Sequence, residues 1–343
     1  MWRGLLAVAG RSVAPTVLLA AMVWPVVAHA QPTESSLDAR EAQQWLARIH
    51  EAARLRNYQG TFVVTTGASV ASSRIQHFCD GPNQYEKIES LDGQMRQVFR
   101  HNEVVHSLWP QKRLAVVETR QVAGEFPALL SAGAERIAQQ YEIKSRGAGR
   151  VAGHEAYVLA LLPKDGYRYG YRLWAEKASG LLLRAEVVDE HDAVLEVSAF
   201  SDLTLNVKPR PDLVTQPMKR LDGYAVQRPS LEPVDLAAQG WTVRQVPPGF
   251  KHVASVRRSF EAAAQADVAP QPVVLQTIYS DGLTHVSIFI EPSAPGRQRQ
   301  EAMLALGATQ TLIRRRGDHW LTVIGDVPAQ TLLAFAAAME LRR

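Results

Sequence analysis

Cysteine is almost absent from this chain: Cys79 stands alone among 343 residues. No intramolecular disulfide can form, so stability has to come from burial even in an oxidising compartment. Beyond residue 30 no stretch reaches 18 consecutive apolar residues, which leaves no candidate for a membrane-spanning helix there. There is no G-x-S-x-G elbow to present a nucleophilic serine. Cys79 lies beside Phe78 on an expected strand, where a buried structural thiol is a plainer reading than a reactive one. No glycine-rich loop is placed to cradle phosphate. The histidines are scattered; His101 and His106 are close, but on strand and turn they point in unrelated directions and make no metal site. Asp189, Glu190 and Asp192 cluster in an expected turn, where solvated turn chemistry accounts for them. Neither an enzyme nor a metal or cofactor is expected.

A strong charge of either sign is also missing. With Arg3 and Arg11 set aside as part of an export leader, 36 basic residues face 34 acidic ones. Residues 31–207 carry 20 basic and 22 acidic residues, and 208–343 carry 16 and 12. This balance gives no case for nucleic acid and weakly favours an anionic partner for the C-terminal part.

What is present begins with that leader. Arg3 and Arg11 precede the apolar run Val17 to Val27, which ends in Ala28-His29-Ala30, a small-x-small site ahead of Gln31-Pro32. This reads as a cleavable signal peptide over 1–30, cut after Ala30, with export of the mature chain and no cysteine after the cut to carry a lipid anchor.

Asp38 or Ser36 can cap a helix running to about Arg56, with an apolar stripe through Leu37, Trp45, Leu46, Ile49, Ala52, Ala53 and Leu55. The period then switches to two. Short strands at Tyr58–Thr66, Arg74–Cys79, Gln84–Leu91, Met95–His101, Glu103–Trp109 and Arg113–Glu118 follow one another through tight turns, so they are antiparallel neighbours. One or two short helices are expected over Glu125–Gln140. Strands resume at Tyr141–Lys144, His154–Leu162, Tyr167–Ala175, Leu181–Val188 and Val194–Leu205. The class is α+β, with a large curved or unclosed antiparallel barrel over 31–207, a shape that can hold a ligand cavity or a filled core.

Residues 208–239 carry five prolines and no sustained period, and read as a linker without a regular element of any length. A small α+β domain over 240–343 follows. Its strands are expected at Lys251–Arg258, Val273–Tyr279, Leu283–Ile290, Thr309–Arg315 and Trp320–Ile324, with a Ser280-Asp281-Gly282 hairpin turn. Asp326 is expected to cap a last helix to about Leu341, buried through Leu332, Leu333, Phe335, Ala336 and Met339.

Two groups of side chains are binding candidates. In the large domain Phe62, Val64, Phe78, Val98, Phe99, Leu108, Trp109 and Val116, near Trp174 and Leu183, are either a packed core or the wall of a lipid or acyl cavity. In the small domain Arg314, Arg315 and Arg316 with Arg257 and Arg258 suit an acidic or phosphate-bearing partner, or form a solvated hairpin end. Tyr279 and Trp320 join that set by aromaticity. The stretch Pro163–Arg184, PKDGYRYGYRLWAEKASGLLLR, places Tyr167, Tyr169, Tyr171 and Leu173 on one strand face and Arg168, Gly170, Arg172 and Trp174 on the other. Aromatics and cations are thereby separated, which sets aside a stacking platform for single-stranded nucleic acid.

Six ordered blocks carry a resemblance. They are Asn57-Tyr-Gln-Gly-Thr-Phe62, Asp165-Gly-Tyr-Arg-Tyr169, Trp174 with Ser179-Gly-Leu-Leu-Leu-Arg184, Val246-Pro-Pro-Gly-Phe250, Tyr279-Ser-Asp-Gly-Leu283 and Thr322-Val-Ile-Gly-Asp-Val-Pro328. Through them nearly the whole chain after residue 30 resembles the MucB/RseB family of periplasmic regulators of a sigma-E-type envelope-stress sigma factor. The resemblance implies a large domain like the lipoprotein carriers LolA and LolB, an unclosed antiparallel barrel with a helical plug, and no catalytic residues. It implies a partner, the periplasmic region of a single-span anti-sigma factor of the RseA/MucA kind, shielded from site-1 proteolysis. Mislocalised lipopolysaccharide or acylated lipoprotein would release the complex. Homo-oligomerisation is open, and a lipoprotein or acyl-chain carrier is the alternative that the same barrel would serve.

Overall fold

In the computed structural model, residues 35–36, 38–119, 126–130, 134–260, 273–293 and 299–342 are described. The expected export signal over 1–30 lies outside them. Helix α1 (Ala39–Leu55) starts at Asp38, whose Oδ1 accepts the Glu41 N–H at 2.6 Å, as the sequence led one to expect. Its apolar stripe turns Ala42, Leu46 and Ile49 inward, but Leu55 stands 52% exposed at the last turn.

The strands of the large sheet are β1 (Ser35–Ser36), β2 (Tyr58–Thr66), β3 (Ser69–Asp80), β4 (Asn83–Ser90), β5 (Gln97–His101), β6 (Val104–Trp109), β7 (Leu114–Thr119), β8 (Tyr141–Val151), β9 (His154–Pro163), β10 (Gly170–Glu176), β11 (Leu182–Val188), β12 (Val194–Leu205) and β13 (Ala225–Gln227). They make one 13-stranded sheet in the order β1-β8-β9-β10-β11-β12-β2-β3-β4-β5-β6-β7-β13. All pairs are antiparallel except β13 with β7, and β1 and β13 are unjoined edges, so the barrel is unclosed. Within the expected helical segment one helix, α2 (Ala134–Gln140), is described.

The alternation of side chains sorts the sheet into two lined faces. On the concave side α1 and α2 plug the β8–β11 half, where Leu46, Ile49 and Ile137 pack with Tyr141, Leu159, Leu161, Tyr171 and Leu173. On the convex side Phe78, Tyr85, Phe99, Leu108 and Ala115 form a separate core.

That convex core corrects the reading of 208–239 as a linker without regular structure. The segment holds α3 (Asp212–Lys219), β13 and β14 (Pro229–Pro233). Val214 of α3 is fully buried against Phe78, Tyr85 and Phe99, with Leu213, Met218, Leu221 and Tyr224 around it. Pro211 and Pro217 did not prevent a two-turn helix, because the apolar spacing Val214, Met218, Leu221 found a sheet face to bury against.

The second sheet runs β14-β16-β17-β18-β21-β20-β19. Beside it, β15 (Trp241–Val243) pairs with β22 (Met339–Leu341). Its remaining strands are β16 (Lys251–Phe260), β17 (Val274–Ser280), β18 (His285–Pro292), β19 (Ala302–Leu306), β20 (Thr309–Arg316) and β21 (His319–Gly325). β19 has no counterpart in the sequence reading. Helix α4 (Ala329–Ala338) covers one face through Leu332, Phe335 and Ala336, against Val286, Ile288, Leu321 and Val323. Three expectations for this helix are corrected. It stops at Ala338, because Met339–Leu341 are claimed by pairing with β15. Leu333 is 43% exposed instead of buried. Asp326 does not cap it; its carboxylate accepts from Thr309 Oγ1 at 2.6 Å.

Candidate functional site

Four of the six sequence blocks meet where the two sheets join. Arg168, expected on a strand face, precedes β10 and its side chain is fully buried. Its Nη1 donates to Gln140 Oε1 at 2.8 Å and its Nη2 to the Pro248 carbonyl at 2.6 Å. Its Nε lies 3.5 Å from Asp281 Oδ2 and 3.4 Å from Asp165 Oδ1. Asp281 is itself wholly buried: Oδ1 accepts the N–H groups of Leu283 and Thr284 at 2.9 Å, and Oδ2 accepts from Tyr141 Oη at 3.3 Å. A buried pair is tolerable only when its remaining donors and acceptors are matched, and here they largely are. Burial and then the charge of Asp281 hold the Tyr141 phenol well above its ordinary range. Gly249, at φ +80°, leaves room for this cluster; a Cβ there would come within 2.3 Å of Gln140 Oε1 and 2.8 Å of Arg168 Nη2.

Further contacts fasten the same junction. Thr331 Oγ1 donates to the Tyr167 carbonyl at 2.8 Å, Gln330 Nε2 to the Gly166 carbonyl, and Arg136 Nη2 to the Ser280 carbonyl. Tyr167 packs on the core of the small domain, while Leu283 packs in that of the large one. Within the small domain, Thr284 Oγ1 donates to the carbonyl of Asp326 at 3.1 Å.

Directly beside this latch is a cavity of about 380 Å³. Its apolar wall is Phe62, Val64, Ile88, Val98 and Val105 from the concave sheet, with Phe126 to Leu129 along one side. Leu283, Thr284, His285 and Asp326 roof it from the small domain. Two charged poles face it. Arg100 and Arg96 form one, with Glu86 3.9 Å from Arg100 and the Arg96 guanidinium 5.5 Å over the Trp109 ring. Glu196 and Asp326 form the other, where burial first and Asp326 second push the Glu196 carboxyl up. Such a space can take an apolar chain along the sheet and ionic groups at its ends.

The sequence candidates are dispersed by the fold. Phe62, Val64 and Val98 line the cavity. Phe78, Phe99 and Leu108 do not reach it, because each alternates onto the convex face and packs under α3. Trp109 touches it only through Arg96, and Val116 is half-buried on β7. Leu183 is buried with Tyr58, Phe200 and Ala156. Trp174 lies over Gly149, where a Cβ would come within 2.9 Å of its ring, under the Arg184 guanidinium at 4.9 Å and away from the cavity.

In the small domain Arg257 donates to Gln239 Oε1 at 2.8 Å and Arg258 reaches Glu118 of β7 at 3.4 Å. Arg316 donates to the Met339 carbonyl at 2.9 Å and caps the end of α4. Tyr279 is buried against Phe335, and Trp320 is 9% exposed beneath Arg299. Arg314, Arg315 and Arg316 stand exposed at the end of β20, while Arg257 and Arg258 are half-buried. The candidates therefore do not form one basic patch. Cys79 is half-buried, its thiol pushed up by burial and bonded to the Arg54 carbonyl at 2.6 Å. No cluster of metal-ligating side chains occurs among the described residues.

Sequence reasoning missed Arg168, Asp281, Arg96, Arg100 and Glu196. Asp281-Gly282 carried the signal of an ordinary turn, and nothing local marks a turn that another domain buries.

Fold and site together define a two-domain scaffold of the unclosed-barrel class, with a second sheet domain latched over the mouth. The chain belongs to the MucB/RseB family: residues 41–220 match the MucB/RseB N-terminal domain and residues 235–340 the MucB/RseB C-terminal domain. Sigma factor AlgU regulatory protein MucB of Pseudomonas aeruginosa is 30% identical over 300 residues, 85% of this chain and 89% of that protein. Sigma-E factor regulatory protein RseB of Escherichia coli K12 is 24% identical over 287 residues, 83% of this chain and 86% of that protein. A crystal structure of MucB in complex with MucA(peri) aligns with a TM-score of 0.64 at 27% identity, covering 88% of this chain and 99% of that one.

Proposed function

We propose that this chain is a periplasmic negative regulator of a sigma-E-type envelope-stress sigma factor. It binds the periplasmic region of a membrane anti-sigma factor and shields it from site-1 proteolysis. An amphiphile with anionic groups, such as mislocalised lipopolysaccharide or an acylated lipoprotein, enters the cavity and releases the complex. The regulatory names of the relatives and the MucB–MucA(peri) complex support the partner half of this reading. The observation that carries the sensing half is the cavity itself. An apolar wall with Arg96 and Arg100 belongs to one domain, and its roof belongs to the other. A chain entering there presses on the interdomain junction, so occupancy and domain arrangement are coupled.

The test mixes the purified mature chain with the periplasmic domain of the cognate anti-sigma factor on a sizing column. Co-elution is expected, and lipopolysaccharide is expected to abolish it. Absence of a complex at tens of micromolar, roughly the weak end of specific association, would sink the partner half. A complex indifferent to the amphiphile would sink the sensing half.

A further inference from the structure

The seven-stranded sheet ends on β19, and among the described residues this edge has no further strand paired to it. Its sequence, Ala302-Met-Leu-Ala-Leu306, holds no charge and no proline. Its register with β20 runs from Ala302↔Ile313 to Leu306↔Thr309 without a bulge. Charges, prolines and bulges are the devices by which edge strands avoid further pairing. The opposite edge uses two of them, Pro229 and Pro233 flanking Glu232 in β14. On β19, by contrast, Met303 is 40%, Leu304 57% and Leu306 63% exposed.

The geometry states what such an edge accepts. Gly307-Ala308 is a two-residue turn, so Leu306 and Thr309 close the hairpin as a hydrogen-bonded pair. Pairing alternates from there: Leu306, Leu304 and Ala302 bond to β20, and the N–H and C=O groups of Met303 and Ala305 point outward. Leu304 and Leu306 share one face and Met303 takes the other. A ligand that satisfies both sets supplies backbone groups at strand spacing and apolar side chains at alternate positions, which describes an extended polypeptide. Past the Ala302 end, Arg314 and Arg315 stand exposed on β20. Arg314 makes no ion pair among the described residues, and Arg315 Nε turns to the Gly317 carbonyl at 3.1 Å. Glu301, the residue before β19, accepts the Arg315 backbone N–H at 2.9 Å. Among the described residues neither exposed guanidinium meets a carboxylate, which suits an acidic residue in the occupant. The other end of the hairpin is fixed, since Gly307 abuts Thr66 and Leu195 of the long sheet.

We propose that β19 is a strand-docking edge that takes up an extended segment of the anti-sigma factor's periplasmic region, apolar at alternate positions and acidic where it passes Arg314. The proposal rests on the partner reading above. Ala305→Pro removes an outward N–H while sparing the bonds to β20, a position at which edge strands accept proline. Leu304→Lys charges the same edge and keeps its backbone. Titration of each full mature chain with the purified anti-sigma periplasmic domain is paired with hydrogen exchange on the wild-type complex.

Expected are a roughly tenfold or larger loss of affinity in both variants, about what one unmade buried hydrogen bond costs, and slowed exchange at the Met303 and Ala305 amides on binding. Should Ala305→Pro fail to fold, Leu304→Lys and the wild-type exchange decide. Unchanged affinity with unslowed amides overturns the docking edge and leaves the partner reading standing. A wild-type chain that forms no complex overturns both. Variants that dissociate an oligomer yet bind the anti-sigma domain unchanged assign the edge to a second copy, and overturn the proposal.

Discussion

The two faces of the long sheet are made by the same strands and have opposite characters. On β4 and β5, Tyr85 and Phe99 point to the convex side, into a core sealed by Val214. Their neighbours Glu86, Ile88, Val98 and Arg100 point to the concave side and line a cavity. Residues one position apart thus pack a core or line a cavity according to parity alone. The lesson is that an aromatic and aliphatic inventory of a strand does not identify a cavity wall. Charge does not mark the wall either, since Lys87 and Glu89 share the convex parity of Tyr85 while Arg100 lies beside Val98 on the cavity side.

This contrast can be broken by substitution. Phe99→Ala, in the convex core, is expected to cost about 3 to 5 kcal/mol in chemical denaturation; a loss below about 1 kcal/mol would show that face to be loosely packed. Arg168→Leu leaves Asp281 buried without its cation and is expected to cost about 3 kcal/mol or more. Scanning calorimetry should then resolve two transitions, and a single unshifted one would refute the latch. Trp174→Ala should cost less, about 1 to 3 kcal/mol, because the ring is only partly buried and stacks under Arg184 at the surface. A larger loss would place it in the core after all.

The smallest effect concerns Glu196, and its sign follows from the raised carboxyl. The folded state keeps a proton that the unfolded chain releases near the ordinary glutamate value, so stability falls as pH rises from there through the raised value. Glu196→Gln should flatten that decline in urea melts taken between acid and neutral pH. Parallel curves for the two proteins would dissociate Glu196 from the effect.

Much of the fold was legible locally. Tyr58–Thr66 and Val194–Leu205 read as strands with the bounds they have, and Asp38 caps α1, because period and capping act within a few residues. The candidate site was legible only in part. Phe62, Val64 and Val98 were read as possible wall, but Phe78, Phe99 and Leu108 shared their signature on the other parity. Among the partner candidates, Arg257, Arg258 and Arg316 direct their guanidiniums to Gln239, Glu118 and carbonyls at the end of α4, contacts that sequence adjacency does not reveal.

The sequence by itself determined the succession of antiparallel strands, the second small domain and, through six ordered blocks, the family. Each of these follows from short-range chemistry: alternation, turns, and residue order. Only the tertiary structure decided which sheet face would be filled. Residues 208–239 cover the convex side through α3, and the small domain roofs the concave side by latching Asp281 to Arg168. Both choices pair surfaces a hundred or more residues apart in the chain. Alternation gives a strand two faces but cannot say which later segment will bury either one.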